Sequence, residues 1–93
     1  MMNKVALDRA GALYWNGKPV TKEVLDNNLA LMHSLDPEPV TFLETEMGVD
    51  CASLEAVRDQ MERRLGCSNG GRCNEGIVTV LDAAPNPPGA PAS

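Results

Sequence analysis

Aromatic side chains, basic charge and long apolar runs are all scarce in this sequence of 93 residues. One Tyr, one Trp and one Phe are its only aromatics, so the core must come from Val, Leu, Met and Ala. Eight basic against thirteen acidic residues give a net charge of −5, which argues against binding to nucleic acid or to an anionic membrane surface because both need a basic patch. No run of about 18 apolar residues occurs, so no segment is expected to span a bilayer.

The length and the placement of proline divide the sequence into one domain and a tail. Ninety-three residues suffice for a single domain. Residues 83–93 contain four prolines and no apolar side chain larger than Ala, so they are predicted to be a disordered Pro-rich tail. Residues 1–82 are predicted to form the domain.

The first part of the domain has the pattern of three short strands. Lys4–Asp8 alternates apolar and polar side chains, and Ala12–Trp15 follows as a return strand. Lys18–Val20 comes after an Asn-Gly pair, which favours a tight two-residue turn. Because Pro19 has no N–H for a neighbouring strand, Lys18–Val20 is expected at the edge of the sheet.

A helix and a fourth strand come next. Thr21 is the predicted N-cap of the helix, and Pro37 is predicted to end it. The apolar arc of this helix is predicted to consist of Val24, Leu25, Leu29, Leu31, Met32 and Leu35. Pro39–Thr45 is predicted to be a strand.

A second helix and a last strand complete the domain. Asp50 or Ser53 is the predicted N-cap, and Gly66 ends the helix. Its apolar stripe is predicted to consist of Cys51, Leu54, Val57, Met61 and Leu65. Ile77–Asp82 is apolar on both faces apart from one Thr, which predicts a central or buried strand.

The element order ββ(β)αβαβ predicts an α+β fold. It implies a two-layer sandwich with both helices on one face of a small mixed sheet, since right-handed crossover connections place them there. The opposite face, with Ala12, Tyr14 or Trp15, and Thr41, is expected to be open to solvent or to a partner.

The cysteines allow three interpretations. Cys67 and Cys73 flank the flexible segment SNGGR and could form a disulfide in an oxidising compartment, or remain free thiols in a reducing one. A metal site would have to add Cys51 and His33, and the C-x₅-C spacing matches no common zinc pattern. Cys51 lies on the apolar stripe of the second helix and is expected to be an inert core thiol.

No group of side chains predicts catalysis. His33 is the only histidine, and a solvated helix position is the favoured interpretation. Glu44, Glu46 and Asp50 could pair as general acid and base, but in a chain this acidic they are more consistent with a solvated edge or a contact for a partner's basic residues. We therefore expect no catalytic residue, no cofactor and no metal.

A longer pattern carries a family resemblance. The hairpin VALDRAGALYWNGKPVT leads into a leucine-spaced helix, and PEPVTFLETEMGVDCASLEAVRDQM leads to a final strand. In this order the elements resemble the soluble domain of the ExbD/TolR family of biopolymer-transport proteins, from Val5 to about Asp82. Two stretches depart from the usual pattern of that family: LETEMGV, and the insertion GCSNGGRCNEG before the last strand.

The resemblance implies a non-enzymatic periplasmic module of a complex driven by the proton-motive force in the bacterial inner membrane. Its implied partners are a TonB- or TolA-like energy transducer, an ExbB- or TolQ-like channel subunit and a second copy of the chain. The family's single membrane helix is expected outside this sequence. A periplasmic location agrees with a disulfide between Cys67 and Cys73.

Partner contacts are expected at a sheet edge, which can accept a strand, and on the exposed sheet face. The candidate residues are Tyr14, Trp15, Lys18, Val20, Glu44 and Glu46.

One alternative function is that of a small thiol-redox or other enzyme that uses the Cys67/Cys73 loop. A redox pair is normally C-x-x-C at a helix N-terminus, whereas this pair follows a helix C-terminus. The other alternative is a cytosolic adaptor of similar fold.

Overall fold

The structure, a computed structural model, describes residues 2–81. These residues contain five strands, two helices and one 3₁₀ turn. In chain order they are β1 (Met2–Leu7), β2 (Leu13–Trp15), β3 (Lys18–Val20), α1 (Lys22–His33), β4 (Val40–Glu46), α2 (Cys51–Leu65), the 3₁₀ turn (Cys67–Asn69) and β5 (Cys73–Val78). The tail predicted for residues 83–93 lies outside the described residues, as does Asp82.

The strands form one mixed sheet in the order β3-β2-β1-β4-β5. Antiparallel pairing joins β1 to β2 and β2 to β3, whereas β1–β4 and β4–β5 are parallel. Each parallel pair requires a crossover connection, and α1 and α2 provide these connections. The predicted α+β architecture, with two helices packed on one face of a small mixed sheet, is confirmed.

The β2–β3 hairpin forms where the Asn-Gly pair predicts it. Asn16 and Gly17 have φ angles of 50° and 89°, as a tight turn with two left-handed residues requires. The Asn16 side chain accepts the N–H of Lys4 at 2.8 Å, which ties the turn to β1. The strand with Pro19 lies at the sheet edge, as predicted.

Local capping signals define the helix starts. The Thr21 hydroxyl accepts the N–H of Val24 at 3.1 Å, and the Asp50 carboxylate accepts the N–H of Ser53 at 3.3 Å. Of the two predicted caps of the second helix, Asp50 is therefore the one used. Gly66 ends α2 with a φ of 64°, a left-handed conformation that glycine adopts without steric cost.

Aliphatic side chains fill the space between the sheet and the helices. The buried cluster consists of Val5, Leu7, Leu13, Leu25, Leu29, Leu43, Val57, Met61 and Leu65. Leucine is the most frequent residue in this list, in agreement with the scarcity of aromatics. The predicted arc of α1 is wider than the buried stripe, because Val24, Leu31 and Leu35 remain exposed.

The two faces of β4 are the reverse of the prediction. Thr41 was expected on the open side of the sheet, but it is 0% exposed and lies on the helix side together with Leu43 and Thr45. Phe42 instead lies on the side away from the helices. A Cβ atom at Gly76 of the neighbouring strand would come within 3.0 Å of Cζ of Phe42, so the ring occupies space that the glycine leaves free.

The last strand differs from the prediction in both its limits and its position. A central or buried strand over Ile77–Asp82 was expected, but β5 spans Cys73–Val78 and lies at the edge of the sheet. Ile77 and Val80 are 65% and 67% exposed. The parallel register pairs β5 with β4 from Thr41↔Cys73 to Glu46↔Val78, so the strand ends where β4 ends.

Cys51 is not the core thiol that its place on the apolar stripe predicts. It is a free, exposed cysteine in the first turn of α2. Leu54, one turn later, is only partly buried, and full burial begins at Val57. The N-terminal turn of α2 therefore contributes little to the core.

Candidate docking surface

The sheet face that the helices leave uncovered is called the open face below. Side chains alternate along each strand, so the neighbours of core residues in the strands lie on it. The cross-strand registers Lys4↔Phe42, Ala6↔Glu44 and Ala6↔Tyr14 place these residues side by side. The open face comprises Lys4, Ala6, Tyr14, Phe42, Glu44, Glu46 and Val78.

The open face is covered at its centre. After β5 the chain bends, and Leu81 packs on Ala6 beside Tyr14 and Val78. Ala6 is 0% and Leu81 is 6% exposed. The expectation that this whole face is free is therefore wrong at its centre, because the chain itself covers it.

The two predicted acidic residues of the open face have different partners. Glu44 lies 3.4 Å from the ammonium group of Lys4, and its second carboxylate oxygen is buried without a hydrogen bond. Glu46 accepts the backbone N–H of Arg9 at 2.9 Å and that of Leu81 at 3.4 Å. These hydrogen bonds, with the one from Arg9 foremost, lower the pKa of Glu46. Both side chains therefore have structural contacts.

Tyr14 and Trp15 lie on opposite faces of the sheet. The Tyr14 hydroxyl donates to the Asp8 carboxylate at 2.9 Å, and this contact raises the pKa of Tyr14 because the carboxylate opposes ionisation of the phenol. Trp15 packs against the core under the helices. Of the two alternatives, Tyr14 is the residue on the open face.

The first edge of the sheet, β3, carries two of the predicted partner residues. Lys18 is exposed, while Val20 packs against the core. The pair Tyr14↔Pro19 lies between two pairs that exchange hydrogen bonds, so the nitrogen of Pro19 points away from the sheet. Since this nitrogen carries no hydrogen, the edge offers a poor template for another strand.

The second edge, β5, has free backbone groups. Thr41 donates to the carbonyl of Arg72 at 2.8 Å and Met47 to that of Val78 at 2.7 Å. In a parallel ladder the N–H and C=O of one residue point to the same side, so the even-numbered residues of β5 face β4. The backbone groups of Glu75 and Ile77 therefore point outward, where no described strand lies.

A groove of about 330 Å³ runs along the helix side of this edge, between β5 and α2. Leu43, Met61 and the Cys67–Cys73 pair give it an apolar lining. Arg58 forms an ion pair with Glu75 at its rim, with Nε 2.9 Å from the carboxylate. This contact lowers the pKa of Glu75.

The two sulfurs of Cys67 and Cys73 are joined in a disulfide, with an S–S distance of 2.01 Å and a Cα–Cα distance of 5.5 Å. The bond connects the 3₁₀ turn after α2 to the first residue of β5. It fixes the start of the edge strand. The pair follows the C-terminus of α2, where the helix dipole disfavours a thiolate.

The histidine and the possible metal ligands that the sequence offered are not grouped into a site within the described residues. His33 is exposed and contacts Glu38 at 3.1 Å. Within residues 2–81 no three His, Cys, Asp or Glu side chains are grouped as a metal site would require. In the same range, no helix is both long and apolar enough to cross a bilayer.

Sequence reasoning missed Leu81 and the edge position of β5. Leu81 was placed within a strand, and nothing in the pattern IVTVLD distinguishes a strand end from a bend that folds back over the sheet. The run NEG within β5 is the one available signal, since a charged residue and a glycine fit an edge better than a centre. The chain matches no protein-family model and no curated protein.

Proposed function

We propose that this chain is a non-enzymatic periplasmic interaction module of a proton-motive-force-driven transport complex of the TonB or Tol type at the bacterial inner membrane. Its partner is an extended segment of a TonB- or TolA-like transducer, or a second copy of the chain. An ExbB- or TolQ-like subunit would supply the channel. The proposal rests on the sequence resemblance together with the form of the β5 edge.

The free edge of β5 is the main observation that supports a docking role. The outward backbone groups of Glu75 and Ile77 can pair with an added strand, which is a common mode of peptide recognition. The opposite edge is blocked by Pro19. Because the β5 edge is free and the β3 edge is blocked, an added strand is expected to pair with β5.

Specificity would come from the two sides of the added strand. Its side chains alternate, so every second one would point toward the groove between β5 and α2. The apolar lining formed by Leu43, Met61 and the disulfide suits an aliphatic side chain. The exposed side chain of Ile77 would gain a further apolar contact.

Titration of the ¹⁵N-labelled full chain with the purified periplasmic segment of such a transducer tests the docking role. We expect chemical-shift changes at the amides of Glu75 and Ile77. Ile77→Pro removes the outward N–H and should weaken binding about tenfold or more, because a strand hydrogen bond is lost and the ring obstructs the edge. Two variants serve as controls, because Ile77→Ala retains the N–H and Lys18→Ala alters only the opposite edge.

Two results would contradict the proposal. Shift changes confined to the helices would show that the β5 edge is not the docking site. Catalytic turnover of a dithiol by the Cys67–Cys73 pair would support the thiol-redox alternative instead. Sedimentation of the chain alone distinguishes a second copy from a transducer as the partner.

A further inference from the structure

The segment Thr79–Leu81, called the strap, crosses the open face immediately after β5. Its last side chain packs against Ala6, Tyr14 and Val78, and the surface that these three residues form is called the slot. We propose that the slot is a second peptide-recognition site, which the strap keeps closed by occupying it in cis. This inference does not depend on which complex the module serves.

Hydrogen bonds to its backbone hold the strap in place, in addition to the packing of its apolar side chain. The Leu81 N–H donates to Oε2 of Glu46 at 3.4 Å. The Arg9 guanidinium donates to the Thr79 carbonyl at 3.4 Å. Arg9 also donates its own N–H and its Nε to Oε1 of Glu46, at 2.9 and 3.3 Å, so the two anchors support each other.

The side-chain contact gives the slot its size preference. Leu81 is almost fully buried although it lies apart from the main core, in a separate cluster with Ala6. Ala6 is the smallest apolar residue of β1, and its short side chain leaves room for a leucine above it. Tyr14 is oriented beside the slot by its hydrogen bond to Asp8.

These contacts specify the partner that the slot fits. It is an extended segment that carries a leucine-sized side chain, a free N–H on that residue for Glu46 and a carbonyl two residues earlier for Arg9. Because the strap is tethered to β5, it competes at an effective concentration in the millimolar range. A segment in trans therefore binds only when the strap is displaced.

A peptide in trans tests the slot directly. The probe is the strap sequence itself, acetyl-Val-Thr-Val-Leu-amide, which corresponds to Val78–Leu81. Full-length Leu81→Gly leaves the slot empty, and we expect it to bind the peptide at least about tenfold more tightly than the wild-type chain does. The matched control peptide has alanine in place of its leucine and should lose this preference.

The position of the shift changes separates the slot from the β5 edge. Binding in the slot perturbs the amides of Ala6 and Tyr14, whereas strand addition perturbs those of Glu75 and Ile77. Perturbation of the β5 edge alone would overturn the slot while leaving the docking proposal intact. Equal affinity of the peptide for the wild-type chain and for Leu81→Gly would overturn it as well.

Hydrogen exchange provides a second measurement that needs no ligand. Glu46→Gln weakens the charged acceptor of the strap, so the Leu81 amide should exchange about tenfold or more faster. Glu44→Gln lies on the same strand and the same face but does not contact the strap, and should leave that amide unchanged. Equal exchange of the Leu81 amide in both variants would show that Glu46 does not hold the strap.

Discussion

Breaking the Cys67–Cys73 bond is the most direct test of how the β5 edge is held in place. The bond closes a loop across a sequence separation of 6 and connects the end of α2 to the first residue of β5. Four backbone hydrogen bonds also hold this loop, and two of them flank its glycine-rich part. Gly71 donates to Gly66 at 3.0 Å, and Thr41 of β4 donates to Arg72 at 2.8 Å.

The expected loss follows from the loop length. The chain-entropy relation for a loop of about seven residues gives about 2 kcal/mol at room temperature, less than the roughly 3 kcal/mol for a 15-residue loop. For a domain of this size, about 2 kcal/mol corresponds to a decrease in Tm of roughly 8–16 °C. The decrease should be accompanied by faster amide exchange in β5, because the start of this edge strand loses its covalent tie.

Urea unfolding of the oxidised chain, the reduced chain and Cys67→Ala/Cys73→Ala gives the free energies to compare. Cys51→Ala is the matched control, since that thiol is free and exposed and its removal should change the free energy of unfolding little. A reduced chain as stable as the oxidised one would refute the entropy argument. It would mean that the backbone contacts alone hold the loop.

Two further predictions concern single residues. Gly71→Ala should lower the free energy of unfolding in urea by about 1–3 kcal/mol, because its Cβ would clash with the carbonyl oxygens of Leu65 and Gly66. A cost near zero would mean that the loop adapts freely. Glu46, whose charged and titratable neighbours are Arg9 and Tyr14, has a lowered pKa in the folded chain. Its contribution to the free energy of unfolding is therefore complete above about pH 4.3 and is lost as the pH falls through the lower, folded-state pKa. An NMR titration showing an ordinary or raised pKa for Glu46 would contradict this prediction.

Local chemistry made the N-terminal half of the fold predictable. The Asn16–Gly17 turn, the edge position of Pro19 and the N-cap Thr21 each depend on the conformational preference of one or two residues. None of these needs information about distant parts of the chain. The α+β class follows from the same signals, because the order of helices and strands permits few arrangements.

The assignment of the β4 faces needed tertiary information. Thr41 was expected on the open side of the sheet, but it lies on the helix side, so the neighbouring aromatic ring faces away from the helices. Phe42 is the most apolar candidate for the core, yet the helix side holds Leu43 between two threonines. The ring lies against Gly76, a residue far away in the sequence that becomes a neighbour only through the parallel register.

The predicted partner residues were only partly brought together, for a similar reason. Tyr14, Glu44 and Glu46 share the open face, while Trp15 and Val20 pack toward the helices. Neighbours in a strand point to opposite faces, so a run of consecutive candidates cannot form one surface. The disulfide partners lie close in the sequence, and their proximity could be anticipated from the flexible segment between them.

The edge and the slot share one residue, which links the two proposed sites mechanically. Val78 is the last residue of β5, and its side chain also packs beside Leu81 in the slot. Its carbonyl accepts the N–H of Met47 at 2.7 Å, so the end of β5 is fixed to the loop after β4. A partner strand that shifts or extends β5 past this point must alter the bend at Thr79. We therefore expect occupation of the β5 edge to accelerate exchange of the Leu81 amide, and an unchanged rate on saturation of the edge would show that the two sites act independently.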